Sequence, residues 1–300
     1  MNEKTKVVFA GLGIMGFPIA KRIHEAGFDL TGVDNSEAVR AKAHSAGIRM
    51  TESLIEAVAD ADMVLMMLPT VEISRLVFDE VLAHAPAASK LVQLGTIGYA
   101  EAVREAEAAR TKGVTYLDAP VIGGGAPAAE AGNLKILAGS DGPIPAGTEQ
   151  LFRCFSAHTF HLGIPGAGQM TKLVHNTLLA SIATSTAEAF AVARGFGIDP
   201  DVAWDVFRSS STNSFALEWL FAPALKDDYS GGAKVDILLK DLRLFMDALE
   251  VRDPGDVVKH GRGALELYED CHRLGHGQDD IAVVFKVLGE RATAGDGLGA

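Results

Sequence analysis

Cysteine is almost absent from the chain: two in 300 residues, Cys154 and Cys271, far apart and without CxxC or zinc spacing. That excludes a disulfide framework and a structural zinc site, and it fits reduced, packed thiols. Positive charge is also short. There are 27 Lys and Arg against 39 Asp and Glu, a formal net charge of -12, and no basic run. A nucleic-acid partner is therefore not expected, because phosphate recognition depends on clustered Lys and Arg. No uncharged apolar run reaches the roughly 18 residues of a membrane span. The most apolar stretch, 168–197, is interrupted by Lys172, His175, Asn176 and Glu188, so no membrane partner is expected either. The opening MNEKTKVVFA enters a strand without a basic and then apolar leader, and a cytoplasmic location is the expectation.

What is present is apolar bulk. The chain is 48% hydrophobic and 22% charged, enough core for two domains, here placed at 1–164 and 165–300. The first domain opens with an apolar run, 6–10, that ends in Gly11-Leu12-Gly13-Ile14-Met15-Gly16 and is followed by a helical pattern over 17–26. This is G-x-G-x-x-G between a strand and a helix. One glycine makes the tight turn, a second lets backbone approach a pyrophosphate, and a third lets helix and strand pack closely. The helix N-terminus then faces the anion. A second strand, 30–33, ends in Asp34, about 20 residues further on, where a carboxylate binds a ribose 2'-hydroxyl and repels a 2'-phosphate. Asn35 and Ser36 follow, with no Arg or Lys before Arg40. Asp34 also reads as a turn residue or cap, but the combination favours NAD over NADP.

Strand and helix patterns go on alternating. The run 63–68 is apolar throughout, as suits a parallel strand covered on both faces, and it ends at Leu68-Pro69 where cofactor loops lie. The strand 91–94 ends at Gly95-Thr96; Thr96 reads either as a local cap or as a hydroxyl donor toward the nicotinamide side. After a strand at 115–117 comes Asp118-Ala119-Pro120-Val121-Ile122-Gly123-Gly124-Gly125. Three successive glycines suit an anion nest for a carboxylate, and equally a sharp flexible loop. Further strands are expected at 134–138 and 159–162. Beyond them the patterns are helical only, at 200–209, 214–221, 237–250, 256–270 and 279–288. The fold class is thus α/β: a Rossmann-type doubly wound, mainly parallel sheet, then an all-helical C-terminal domain, joined by a long interdomain helix.

That helix, 168–197, is apolar on nearly every face and roughly 40 Å long. Lys172 stands near its start with Asn176 one turn further on. By spacing alone Lys172 reads as a charge snorkelling from the helix end to solvent, and Lys240-Asp241 as a surface pair. His272 and His276 have i, i+4 spacing but no evident third ligand, and Gly275 and Gly277 break the helix there; no metal is expected.

Taken together, GLGIMGFPIA, MLPT, DAPVIGGGAPAAEAGNL, GQMTKLVHN and LLKDLRL, in this order along the whole chain, resemble the β-hydroxyacid dehydrogenase family. The resemblance implies that Lys172 is the catalytic lysine and Asn176 its amide neighbour. It implies that Gly123 and Gly124 hold the substrate carboxylate, that Thr96 lies on the nicotinamide side, and that Lys240 faces the cofactor. Dimers or tetramers are implied as well. Two departures stand out: Ile122 where most members carry Ser, and Gly95-Thr96 where they carry Ser-Thr. Without that serine hydroxyl, the carboxylate leans on backbone N–H groups and Asn176, and a bulkier, more apolar acid comes within range.

The chemistry also follows from the residues. Oxidising a hydroxyl-bearing carbon by hydride loss requires removal of the alcohol proton, and the reverse requires its supply. A lysine in an apolar cleft has its pKa lowered toward that task. Other readings are a 6-phosphogluconate-type oxidative decarboxylase, an imine reductase, and a non-catalytic nucleotide-binding module. The first needs a basic cluster for a sugar phosphate, the second usually departs from the lysine, and the third has no use for Lys172, Asn176 and the glycine loop together.

Overall fold

In a sheet covered on both faces, alternate residues of each strand enter different cores, so every position must be apolar. The first half of the computed structural model, which describes residues 5–251 and 257–294, meets this condition at the middle of its sheet, in residues 7–10 and 63–66. Its elements are Lys6–Ala10 (β1), Gly16–Glu25 (α1), Asp29–Val33 (β2), Glu37–Ser45 (α2), Arg49–Thr51 (β3), Leu54–Val58 (α3), Met63–Met66 (β4), Val71–His84 (α4), Lys90–Gln93 (β5), Tyr99–Thr111 (α5) and Thr115–Asp118 (β6). The strands form one six-stranded sheet in the order β3-β2-β1-β4-β5-β6, and every pair is parallel. Val7, Phe9, Leu65 and Val92 pack on one side with Ile19 and Ile23 of α1. Val8, Ala10, Val64 and Met66 pack on the other with Phe78 and Val81 of α4. The strand order reverses between β1 and β4, and the crevice at the carboxyl ends of such strands is where this architecture binds nucleotides.

The chain then leaves this sheet. Val121–Ile122 (β7), Leu134–Ala138 (β8) and Ser156–His161 (β9), with Gly125–Ala131 (α6) and Ala146–Phe152 (α7) between them, build a separate three-stranded sheet. β7 runs antiparallel to β8, because the chain turns back through the three glycines, and β8 runs parallel to β9. The last strand starts three residues before its sequence pattern suggested, at Ser156, whose hydroxyl donates to the Phe152 carbonyl.

Ala167–Gly195 (α8) is one helix of 29 residues, or about 44 Å. The chain divides within it into two compact units, Met1–Lys172 and Leu173–Ala300. The second unit is helical: Pro200–Arg208 (α9), Phe215–Leu225 (α10), Val235–Glu250 (α11), Lys259–Arg273 (α12) and Val283–Ala294 (α13). Asp199 caps α9 through the N–H groups of Asp201 and Val202, with Pro200 at the first position. The helix expected from Asp256 starts, among the described residues, at Lys259; residues 252–256 lie outside them.

The apolar residues expected on nearly every face of α8 are present, but one stripe of them is covered. α8 buries a stripe of small residues, Ala180, Ala183 and Ala187, against Leu238, Leu239 and Leu242 of α11 and Tyr268 of α12. Leu173 and Phe190 continue the stripe at its two ends, whereas Leu178 and Val192, on other faces, are each 60% exposed. Alanine at i, i+3 and i+7 lets backbones approach closely, so composition alone does not say which face is covered.

A carboxyl is sealed in the core of the first unit. Glu105 on α5 is fully buried and accepts from the Tyr116 hydroxyl at 2.8 Å and from Gln93 Nε2 at 3.2 Å. Burial outweighs these bonds and pushes its carboxyl from 4.5 up to about 8. A carboxyl raised on folding contributes stability that is fully present below 4.5 and is lost as pH rises through about 8. Glu105→Gln mimics the neutral acid at every pH. Its stability should fall less steeply with rising pH across this window than that of the parent chain, a divergence of up to about 1.4 kcal/mol per pH unit. Parallel melting curves of the two proteins would contradict the assignment.

Candidate functional site

The glycine fingerprint is built by contact distances. Gly11 follows β1 with φ at 92°, a conformation that side chains rarely adopt, and its N–H donates to the Val33 carbonyl at 2.9 Å. A Cβ on Gly16 would strike the Gly11 carbonyl and, at 3.1 Å, the Phe9 ring, so α1 can start this close to β1 only with glycine there. A Cβ on Gly13 would meet nothing within 4 Å. The loop is therefore tight at Gly11 and Gly16 and open at Gly13. Ile14 is 73% exposed on its outer side and Met15 is the residue before α1. Asp34, at the end of β2, accepts the Leu12 N–H and the Ser36 N–H at 2.9 Å each, which ties the loop to the neighbouring strand. Each of its oxygens keeps a lone pair for a ribose hydroxyl. The Arg40 guanidinium donates to the Asp34 carbonyl and is paired with Glu52, so the cation nearest in sequence is already neutralised. These residues fit NAD. Asn35 and Pro69 are exposed beside half-buried Leu68 at the ends of β2 and β4.

A second group of residues fixes the start of α8. Asp118, the last residue of β6, is fully buried, and its carboxylate accepts the Gly166 and Gln169 N–H groups at 2.8 Å each. It thus satisfies donors that a helix start leaves without partners. A Cβ on Gly168 would collide with the Leu137 carbonyl and with Asp118 itself. Burial pushes the Asp118 carboxyl up to about 7, even though several backbone N–H groups pull the other way. Lys172 follows on the next turn of α8, half-buried. Thr96 lies in the segment after β5 whose backbone is bonded to Gln169. Gly123 and Gly124 sit exposed at the turn after Ile122, with φ of 140° and 102°, and Gly124 precedes α6.

In the second unit Asn176 is buried. Its Nδ2 donates to Asp241 Oδ2 at 2.6 Å, and its Oδ1 lies 3.0 Å from His175 Nδ1. Asp241 Oδ1 takes the Lys240 ammonium at 2.7 Å. The expected surface pair is therefore corrected: Asp241 is 2% exposed, and it anchors Asn176 and Lys240 together. The cause is tertiary, because α11 turns this position toward α8 rather than toward solvent.

Sequence reasoning quoted Asp118 and Gln169 inside motifs without giving them a role, and it missed Asp241 as an anchor. For Asp118 the available signal was a lone polar residue between an apolar strand and a glycine-rich turn. His272 and His276 each face a separate carboxylate, Asp236 and Asp279, at 2.7 Å. No group of three metal-ligating side chains occurs among the described residues, and no helix there is long and apolar enough to cross a membrane.

Comparison with known proteins agrees with this geometry. Residues 6–163 match the NAD binding domain of 6-phosphogluconate dehydrogenase, and residues 166–288 match the NAD-binding domain of NADP-dependent 3-hydroxyisobutyrate dehydrogenase. An NAD-dependent L-serine dehydrogenase of Pseudomonas aeruginosa is 35% identical, the match covering 94% of this chain and 97% of that protein. A 2-(hydroxymethyl)glutarate dehydrogenase of Eubacterium barkeri is 30% identical over 96% of each chain. The structure of a Mycobacterium tuberculosis 3-hydroxyisobutyrate dehydrogenase with L-serine superposes with a TM-score of 0.86 at 30% identity, covering 95% of this chain and 99% of that one. The chain belongs to the β-hydroxyacid dehydrogenase family and is an NAD-dependent oxidoreductase acting on a CH–OH group.

Proposed function

We propose that the chain interconverts a small 3-hydroxy acid and its semialdehyde or keto form, with Lys172 as the general acid/base. The observation that carries this reading is the placement of Lys172 one turn beyond the Asp118-capped start of α8, the same turn that grips the segment bearing Thr96. The relatives' names support the substrate class. Serine, 2-(hydroxymethyl)glutarate and 3-hydroxyisobutyrate each carry a primary alcohol on the carbon beside the one that bears a carboxylate.

NAD, when bound, takes the hydride from the alcohol carbon or returns it. Gly11, Leu12, Gly13, Ile14, Met15 and Gly16 would hold its phosphates, and Asp34 and Asn35 its ribose. Leu68, Pro69 and Thr96 would border the nicotinamide half, and Lys240 would face the cofactor. The neutral amine of Lys172 accepts the hydroxyl proton as the carbonyl forms, and its ammonium gives that proton back in the reduction. Asn176, its amide fixed by Asp241, orients the substrate oxygen. Gly123 and Gly124 offer backbone N–H groups to the carboxylate. Ile122 presents an apolar wall where a serine hydroxyl would otherwise stand, which favours acids with larger apolar substituents. In this reading 1–164 is the NAD-binding domain and 165–300 the helical substrate and self-association domain. The exposed Leu178 and Val192 of α8 support a homodimer or homotetramer.

Lys172→Ala should lower turnover of the best hydroxy acid by about 10²- to 10⁴-fold while NADH titration by fluorescence shows binding retained. Near-normal turnover would sink the assignment. Ile122→Ser should shift preference toward serine-sized polar acids by about tenfold in kcat/KM ratio; an unchanged ranking across a substrate panel would remove Ile122 from the pocket.

A further inference from the structure

Gln169, near the start of α8, is fully buried and uses both ends of its amide on one stretch of backbone. Its Nε2 donates to the Gly95 carbonyl at 2.8 Å, and its Oε1 accepts the N–H groups of Ile97 and Gly98 at 2.9 and 3.2 Å. These groups flank Thr96 on both sides. From the sheet side the same stretch is held by Gln93, whose Oε1 accepts the Gly95 N–H at 3.1 Å and whose Nε2 donates to Ser74 and Glu105. Gln169's own N–H is bound by Asp118. A Cβ at position 95 would come within 3.0 Å of the Gln93 amide oxygen, so glycine here and the Gln93 bond go together.

We infer that Gln169 is a positioning residue for the reaction: it fastens the Thr96 segment to the helical turn that carries Lys172, so that both reach the substrate in a fixed relation. This rests on the roles given above to Thr96 and Lys172. Gln169 precedes Lys172 by three positions, the spacing at which helical side chains lie on a common face. A neutral amide is suited to the task because the segment presents a carbonyl and two N–H groups side by side, requiring a donor and an acceptor at once. A carboxylate would offer acceptors only and would face the Gly95 carbonyl with a like charge.

That difference supplies the test. In Gln169→Glu the protonated acid reproduces the donor and acceptor of the amide, and the ionised form does not. The titratable groups on the elements around it include Tyr99, Glu101, Arg104 and Glu105 on α5, Tyr116 and Asp118 on β6, and Lys172 and His175 on α8. All are common to both enzymes, so the readout is the variant-to-parent ratio of kcat. That ratio should fall reversibly by at least about tenfold as pH rises from about 5 to about 9, with the KM for the acid altered by less than about threefold. A flat ratio with kcat within about twofold of the parent would overturn the inference, as would a fall matched by loss of folded protein in circular dichroism. Gln169→Met, similar in volume and unable to make these bonds, guards against failure of the first variant to fold. It should lose about tenfold or more in kcat at every pH and speed amide exchange at Ile97 and Gly98. Unchanged exchange overturns the positioning role even if the parent chain oxidises no hydroxy acid, an outcome that would instead sink the proposed function.

Discussion

The start of α8 depends on one buried carboxylate. Asp118 takes the Gly166 and Gln169 N–H groups into its side chain, and glycine at 168 is required for the approach. A helix N-terminus inside a core would otherwise leave donors unsatisfied at about 1–3 kcal/mol each. The helix dipole adds a further reason for negative charge at this end. Burial opposes the charge and the N–H groups favour it, and the carboxyl is raised to about 7 as the result. Lys172 stands one turn further along, so the backbone from which its side chain starts is set by this cap.

Both units use the same device: a buried acid fixes a polar side chain through hydrogen bonds. In the first unit Asp118 fixes Gln169, which holds the Thr96 segment. In the second Asp241 fixes Asn176 and Lys240. Such networks are costly when incomplete, since a half-satisfied buried polar group loses water without gaining a partner. Fully bonded, they hold donors and acceptors in place before a substrate arrives, which is where much of the catalytic advantage of a preorganised site lies.

The sheet, the nucleotide loop and the helical second half were legible in the chain because each is written in a local pattern. Val7 to Ala10 is apolar throughout, Gly11, Gly13 and Gly16 are spaced for one turn, and Asp199-Pro200 opens a helix. The branching of the chain into a second sheet was not legible, since a two-residue strand such as Val121–Ile122 carries no periodicity. Asp241 beside Lys240 reads as a surface pair in any sequence, and only α11 packing on its neighbours places the carboxyl 2% exposed. Gln169 is similar: between Gly168 and Met170 nothing local announces that its amide reaches back to Gly95, Ile97 and Gly98. α8 shows the converse: apolar residues lie on nearly every face, and the covered stripe runs through Leu173, Ala180, Ala183, Ala187 and Phe190 while Leu178 and Val192 are exposed.

The central claim, that Lys172 exchanges the proton of the substrate hydroxyl, is tested most directly by a crystal structure of the chain with NAD and a 3-hydroxy acid. The account predicts Lys172 Nζ within hydrogen-bond distance of the 3-hydroxyl, with the carboxylate at Gly123 and Gly124 and the Asn176 amide on the substrate. A complex in which the hydroxyl is held by a different proton-bearing group, with Lys172 turned away from it, would contradict the account.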